Sequence, residues 1–597
     1  MVRGQHINNP SCHRASHFLI GSQLGTLERH VVTQQNQASC GGPAVHLEYR
    51  WWGPSGLHVE RTGETTENLT LTLKEDDFRL FAPVSRNLAM STSSLQSFLD
   101  KPRVFVLSDI SNEPDDAESL VRFLLYSNQF DTEGIVAVTS TWMKTKVCPQ
   151  DMHKIIDGYA GVVDNLNNHT HPDHPYPTAE TLRSLVKSGP PVYGFEGVGT
   201  DRPLTDGHQL LLDRIEASSD RPLWVLVWGG TNVLAQVLLT IKEKYPANKA
   251  ASLRAKLRVY TISDQDDTSA WIRAEFPDIF YISSVHAWNQ YGLAAWTGIA
   301  GDRYYGFDQG GPDFSKMTKS WIKKNIQVGP LGSTYPDYIF IPEGDTPTFL
   351  YLIQNGLGVR EHPEYGSWGG RYALTDLSGR GLSGRHYSDT TDAVVGADGK
   401  TYTSNQATIW RWRDTFQNDF ASRIQWSLHP DFKAANHHPV LCVNDSWGHE
   451  ALELEIEAGE DIVFDASSSY DPDGDSLSFK WWQYKEPTAT QWLVRFEVSN
   501  LEIENLDPDA RRVKVCIPPP EQCCFDRFTT GSPVARGQLL HLVLEVTDNG
   551  TPALTSYKRI IIQTMNKDLR GAAEAGSAPD NIAEVMKAFG ADDWNAD

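Results

Sequence analysis

The segment Val104-Phe105-Val106-Leu107-Ser108-Asp109-Ile110-Ser111-Asn112-Glu113-Pro114-Asp115-Asp116 opens on four consecutive apolar residues and closes on acids. Val104–Leu107 does not alternate, which marks a strand buried on both faces, as in a parallel sheet. After Asp116 the apolar residues return at helical spacing: Ala117, Leu120, Val121, Leu124 and Leu125. Asp109, Glu113, Asp115 and Asp116 therefore crowd into the loop between a strand and a helix. Like charges this close repel one another, and a hard cation with oxygen ligands, Ca²⁺ or Mg²⁺, would neutralise them. Helix capping accounts for one or two of the acids. Four of them at the carboxyl end of a strand, where α/β sheets bind ligands, point to a site.

The same alternation of strand and helix continues downstream. Gly134–Val138 and Leu223–Val227 read as buried strands, the latter followed by a helix over 232–244. Leu257–Ile262 leads into a helical segment over 269–276, and Tyr338–Pro342 reads as a fifth strand before a helix starting at Pro347. This pattern predicts an α/β domain over residues 101–430, a mainly parallel sheet with helices on both faces. Two further strands end in acids: Asp264-Gln265-Asp266-Asp267, and Glu343-Gly344-Asp345-Thr346-Pro347. Asp345 or Thr346 is a natural cap for the helix that Pro347 begins. Acids at the ends of three strands on one edge are less readily explained by capping alone. The strand ending Trp228-Gly229-Gly230-Thr231-Asn232 adds glycines that admit a ligand close to the backbone, and a turn carbonyl able to join an oxygen shell.

Beyond residue 430 the pattern changes. Short apolar runs at 452–456, 462–464, 479–482, 513–517, 539–546 and 557–563 alternate with Gly-, Pro- and Asp-rich turns, predicting an immunoglobulin-like β-sandwich over 440–565. Strand alternation should bury one of Trp481 and Trp482 and expose the other. Asp471, Asp473 and Asp475 either hold a second Ca²⁺ or form a polar hairpin turn. Residues 1–100 show little periodicity apart from Asn68–Leu73 and are expected to form a poorly structured extension; residues 566–597 read as a peripheral tail. The net charge of -23 argues against nucleic acid as a partner. No apolar run is long enough for a membrane helix. The seven cysteines form no CxxC pair, so zinc is not expected and the thiols should be reduced. The first residues lack an apolar signal core, which makes an intracellular protein the expectation unless the true start differs.

In order and spacing, these motifs resemble the nucleoside hydrolase family, whose signature is a D-x-D-x-x-x-D-D loop, a later Thr-Asn turn and a late Asp. Asp109-Ile110-Ser111-Asn112-Glu113-Pro114-Asp115-Asp116, Thr231-Asn232 and Asp345 take those places. The variant loop, the sequence around Asp345 and the C-terminal sandwich together resemble a narrower family, cellulose-binding proteins with a nucleoside hydrolase-like domain followed by a β-sandwich. The resemblance implies Ca²⁺ held by Asp116, the Thr231 carbonyl and Asp345, with Asp109 as a further metal ligand and Asp115 on a sugar hydroxyl. One position departs from the pattern. The second Asp, a metal ligand and the general base, falls on Ser111, which leaves Asp109 or Glu113 to take the proton.

Softer candidates complete the expected site. His286 is the candidate acid for the leaving group, since imidazole titrates near neutrality. Asn112, Asn232 and Asp264 are candidate polar contacts to the ligand. Trp142 and Trp368, in Gly/Ser contexts, are candidates for stacking on a sugar or base. The functional expectation is a metal-assisted glycosyl hydrolase acting on an N-glycoside or related small carbohydrate. The alternative is a non-catalytic carbohydrate- or cellulose-binding protein on the same scaffold.

Overall fold

The computed structural model describes strands at residues 27–32, 46–52 and 58–62, and residues 92–98, 100–300, 311–375, 385–490, 494–526 and 532–569 in full. The chain divides into two compact units, Met1–Arg86 and Asn87–Asp597. In the first, β1 (Leu27–Val32), β2 (His46–Trp52) and β3 (His58–Thr62) pair as an antiparallel meander. These strands lie within the first hundred residues, where little regular structure is expected. The Asn68–Leu73 stretch and the tail beyond 569 lie outside the described residues.

The second unit is built on an eight-stranded sheet. Its strands are β4 (Arg103–Ser108), β5 (Asp131–Ala137), β6 (Val186–Ser188), β7 (Leu223–Val227), β8 (Leu257–Ser263), β9 (Phe280–Ser284), β10 (Tyr372–Leu374) and β11 (His386–Asp389). They lie in the order β10-β11-β9-β8-β7-β4-β5-β6, all parallel except the β10–β11 pair. The helices that concern the site are α1 (Asp115–Leu125), α2 (Pro149–Ala160), α3 (Asp206–Glu216), α4 (Asn232–Lys244), α5 (Thr268–Glu275), α6 (Pro347–Leu350) and α7 (Arg413–Leu428). Val104 and Val106 of β4 join a core with α1 and α7, while Phe105 and Leu107 join a second core with α3 and α4 on the other face. Burial on both faces is why the β4 run is apolar without alternation.

The strand order reverses at β4. The chain runs outward through β5 and β6, then returns to place β7 on the other side of β4. The crevice of such a sheet opens where the order reverses, at the carboxyl ends of β4 and β7. Asp109 and Gly229 stand there.

Tyr338–Pro342 is not a strand. It forms bends and turns, with Ile339 56% and Phe340 43% exposed. An apolar run between prolines mimics a buried strand, but β9 and β11 occupy that part of the sheet.

The C-terminal domain is a sandwich. After the hairpins β12 (Asp392–Val395)–β13 (Thr401–Ser404) and β14 (Cys442–Val443)–β15 (Ser446–Trp447), one sheet orders β16 (Leu452–Glu457), β22 (Thr555–Met565), β21 (Arg536–Thr547) and β18 (Ser478–Gln483). The other orders β17 (Asp461–Asp465), β20 (Arg512–Cys516) and β19 (Glu502–Asn505). Phe464, Val513 and Val515 from one sheet meet Trp481, Leu540, Leu542, Leu544, Ile560 and Ile562 from the other. Val543, Tyr557 and the half-buried Trp482 face the opposite way, into the α/β core. Trp481 and Trp482 thus diverge as alternation requires, but the second meets the other domain. The core is continuous across the junction. Arg559 donates to the carbonyls of Leu357, Tyr365 and Gly366, and Tyr557 N–H donates to the Asn355 carbonyl. Among the described residues Cys148, Cys442, Cys516, Cys523 and Cys524 carry free thiols, and no helix is long and apolar enough to cross a membrane.

The junction also contains a buried ionic group whose pH dependence can be signed. Asp419 of α7 pairs with Arg423 (3.2 Å) and His438 (2.6 Å) and accepts from the Tyr126 hydroxyl. Burial alone would raise its carboxyl, but Arg423 and His438 outweigh it and hold the group well below the usual carboxylate range. A depressed folded-state value stabilises above the unfolded value near ~4, and the contribution is lost as pH falls through the folded value. The stability gap between the wild type and Asp419→Asn is therefore expected to be wide at neutral pH. It should narrow below about pH 4, as denaturant unfolding at several pH values will report.

Candidate metal centre at the carboxyl edge of the sheet

Three carboxylates converge at the crevice. One oxygen each from Asp115, Asp116 and Asp345 lie within 4.8 Å of one another. Asp115 and Asp116 form the first turn of α1, where the helix's free N–H groups favour negative charge. The Ser108 hydroxyl, at the end of β4, donates to Asp116 Oδ1 at 2.5 Å, and Asp116 N–H donates to Asp115 Oδ1 at 3.0 Å. Asp345 arrives from the loop before α6. Gly344 lets that loop close on the site, since a Cβ there would stand 2.8 Å from Asp115 Oδ2. Asp109 lies against Gly229 at the end of β7, where a Cβ would stand 2.8 Å from its side chain.

The carboxylates at the crevice are buried and repel one another. Burial raises the carboxyls of Asp115, Asp116 and Asp345 well above the usual range, and the neighbouring acids raise them further. Burial raises Asp109 to about 6, and both burial and Asp109 raise Glu113. Asp109 Oδ2 and Asp345 Oδ2 are buried without a hydrogen-bond partner. Among the described residues no lysine or arginine pairs with Asp109, Asp115, Asp116 or Asp345. Clustered, buried oxygen donors with unpartnered atoms fit a hard divalent cation.

The expected site residues divide. Asp109, Glu113, Asp115, Asp116 and Asp345 share the cluster. The Thr231 carbonyl accepts the first bond of α4 from Ala235 at 2.9 Å, which leaves it a second lone pair, and its hydroxyl joins Asp266, Thr268 and Ser269. Asp115, expected on a sugar hydroxyl, stands with Asp116 and Asp345. Asn232 spends its amide hydrogens on Thr139 and the Val192 carbonyl, leaving Oδ1 buried and unpartnered. Asn112 closes a turn on the Asp109 carbonyl through its N–H. The Asp264 carboxylate forks Arg273 at 2.6 Å on both nitrogens. The buried acid of that strand end is Asp266, which accepts from Asn232 N–H (3.0 Å), Thr231 and Thr268 and so holds the β7–α4 turn. Trp368 is a correction, being 1% exposed and packed between Phe416 and Tyr557 at the domain junction.

Trp142 is 51% exposed and packs beside Trp288, 55% exposed, with ring centres 5.5 Å apart. Tyr291 joins both rings, and the burial that raises its hydroxyl is reinforced by Asp345, Asp115 and Asp109, placing it beside the acids. His286 stands edge-on to Tyr291 at 5.6 Å, with Nδ1 3.0 Å from the Ala287 carbonyl and Nε2 buried without a partner. Ser111 adopts φ 77° and turns its hydroxyl to Asp151 of α2 at 2.6 Å.

Two supporting residues were not singled out from the sequence. Glu118 of α1 is fully buried and accepts the Glu343 N–H at 2.9 Å. Arg122, one turn on, pairs with Glu343 at 2.6 Å. Their spacing on α1 reads as a solvated helical face, but the loop carrying Asp345 and helix α7 cover it.

Residues 103–372 match the family model described as the nucleoside hydrolase-like domain of the cellulose-binding protein Sde182, and residues 461–564 match that of the C-terminal domain of the cellulose-binding protein Sde0182. A solved structure of a nucleoside hydrolase-related hypothetical protein from Saccharophagus degradans, described as associated with carbohydrate metabolism, is similar at 29% identity and a TM-score of 0.62, covering 78% of this chain and 100% of that one. The effector protein XOO4466 aligns at 13% identity and a TM-score of 0.22 over 43% of this chain and 81% of its own, too little to support an argument. No curated protein matches the chain significantly. In order along one chain, residues 103–372 and 461–564 thus match the nucleoside hydrolase-like and C-terminal domain models described for cellulose-binding proteins.

Proposed function

We propose that the α/β domain is a Ca²⁺-assisted glycosyl hydrolase for an N-glycoside or related small carbohydrate, with Asp115, Asp116 and Asp345 holding the ion. The observation that carries the reading is the convergence of three buried carboxylates at the sheet's crevice with no lysine or arginine partner among the described residues. When bound, the ion supplies Lewis-acid polarisation to water and sugar hydroxyls. The chain's own groups supply the rest. Asp109, through its unpartnered Oδ2, accepts a proton from water as the water oxygen bonds to the anomeric carbon. The C–N bond breaks, its electron pair leaves with the base, and His286 Nε2 gives that base a proton. Glu113 stands by Asp109 as a second acceptor. Trp142 and Trp288 offer apolar faces for the sugar ring.

A second reading, carbohydrate binding without turnover, rests on one observation. Ser111 occupies the place of a general base in the resembling family and points outward to Asp151. Incubating the purified chain with nucleosides and plant-wall oligosaccharides, with Ca²⁺ or with EDTA, and measuring released sugar separates the two. Calcium-dependent release supports hydrolysis; saturable binding without release sinks it and leaves the binding reading. In either case Trp142→Ala is expected to weaken sugar affinity about 5- to 10-fold, the ~1–1.5 kcal/mol of one stacking contact, with Ca²⁺ affinity unchanged. Calorimetric titration with the sugar and with Ca²⁺ checks both halves.

A further inference from the structure

The sandwich holds a second group of unpartnered oxygens, far along the chain from the first. Asp471 Oδ1 accepts the N–H groups of Asp473 (2.8 Å) and Asp475 (3.1 Å), while its Oδ2 is buried without a partner. Asp548, 4% exposed, accepts through Oδ1 from Gly550 N–H (2.9 Å), Leu554 N–H (3.0 Å) and Asn436 Nδ2 (2.9 Å), and its Oδ2 is likewise unpartnered. Asn436, 6% exposed, gives its other amide hydrogen to the Pro552 carbonyl at 2.8 Å, so its side-chain oxygen is left free. Asp473 is not part of this group, since it turns to His437 N–H and Nδ1.

Hydrogen bonds draw the three side chains into one region: Asn436 Nδ2 donates to Asp548 Oδ1, Asp473 joins Asp471 to His437, the residue after Asn436, and Ser476 N–H donates to Asn549, the residue after Asp548. No lysine or arginine pairs with either carboxylate among the described residues. His438, whose charge reaches Asp548, is itself tied to Asp419 at 2.6 Å. A single water could donate to only two of the three oxygens and would leave both negative charges uncompensated. A hard cation satisfies all three and takes its remaining ligands from water or backbone.

We infer that Asp471 Oδ2, Asp548 Oδ2 and the Asn436 side-chain oxygen form a structural Ca²⁺ site, separate from the α/β cluster. The Asn436 carbonyl already accepts from Ser422 (2.9 Å) and Trp426 (2.8 Å) of α7. An ion held by its side chain therefore fastens two sandwich turns to the segment that follows α7. The mixed, irregular donor set favours Ca²⁺ over the strictly octahedral Mg²⁺, and two carboxylates predict a dissociation constant of about 10⁻⁴–10⁻³ M.

The test uses the full chain carrying D116N and D345N, which empties the other cluster of charge. Equilibrium dialysis against Ca²⁺ alone is expected to find one ion per chain, and adding Asp471→Asn should weaken binding at least 10-fold. Asn at 471 retains the oxygen that accepts the two loop N–H groups, so the turn is preserved. Failure of the D116N/D345N chain to bind Ca²⁺ at about ten times the predicted constant, a measurement needing no sandwich variant, overturns the site. So does an affinity that Asp471→Asn leaves unchanged. A wild-type chain that binds one ion, lost only with Asp471→Asn, would instead count against the α/β cluster.

Discussion

Asp116→Asn is expected to abolish calcium-dependent turnover, by about 10³-fold or more, while making the calcium-free protein more stable than the wild type. The first half follows from removing one of three carboxylates that hold the ion, a loss of the order of 4 kcal/mol in transition-state stabilisation. The second half follows from the sign of the shifts. A carboxyl whose folded-state value is raised is destabilising at any pH above its unfolded value, because folding then forces a charged group into burial and repulsion. Asparagine keeps the oxygen that accepts from Ser108 and discards the charge. The gain at neutral pH is about 1–2 kcal/mol and disappears below about pH 4, where the wild-type carboxyl is protonated in both states. Calcium reverses the order: the wild type gains about 2.7 kcal/mol at one hundred times its dissociation constant, and the variant gains little at this site. Denaturant unfolding with calcium and with EDTA reads the crossing. A variant less stable than the wild type in EDTA would show that Asp116 is held by structure rather than for an ion.

The second large effect lies one helical turn further along α1. Arg122 is completely buried and donates to Glu343, to Gln417 Oε1 at 3.0 Å and to the Phe416 carbonyl. Burial opposes its charge, but Glu343 outweighs burial and keeps the guanidinium firmly protonated. Glu343 itself adopts φ 58°, a left-handed conformation that a non-glycine residue keeps only when its surroundings insist. The insistence comes from Arg122, from the Tyr335 hydroxyl at 3.0 Å and from Glu118 on its N–H. Asp345 follows two residues later. Arg122→Met is therefore expected to cost about 3–5 kcal/mol, since it leaves a buried carboxylate without its cation. It should also weaken Ca²⁺ binding about 10- to 100-fold by releasing the loop that aims Asp345. Adding Glu343→Gln removes the stranded charge and should recover much of the stability while leaving Ca²⁺ affinity low. Parallel recovery of both would mean that the pair supports the fold without positioning Asp345.

The acidic loop was legible in the sequence because four acids directly after an unbroken apolar run repel one another more than helix capping can offset. Asp345 was legible through its place before Pro347 and through the family pattern. What was not legible depends on which element covers which face. Glu118 and Arg122 sit at a spacing that normally faces water, and are buried by a loop and a helix each more than two hundred residues away. Asp264 and Asp266 are two residues apart at one strand end, and composition cannot say which meets Arg273 and which turns inward. Trp368 lies among glycines and serines, as an exposed aromatic would, yet a sandwich strand from nearly two hundred residues later buries it. Tyr338–Pro342 has the apolar content of a strand and none of its pairing. In the sandwich the alternation was read correctly, but the second buried face of β21 and β22 follows from docking on the α/β domain.

Whether Asp115, Asp116 and Asp345 hold a hard cation is tested most directly by anomalous diffraction from crystals of the full chain grown with Ca²⁺. A strong peak is expected in the crevice, with one oxygen of each of the three carboxylates about 2.3–2.6 Å away. Ordered density in which the three carboxylates meet only water or one another, with the calcium signal absent from the crevice, would contradict it.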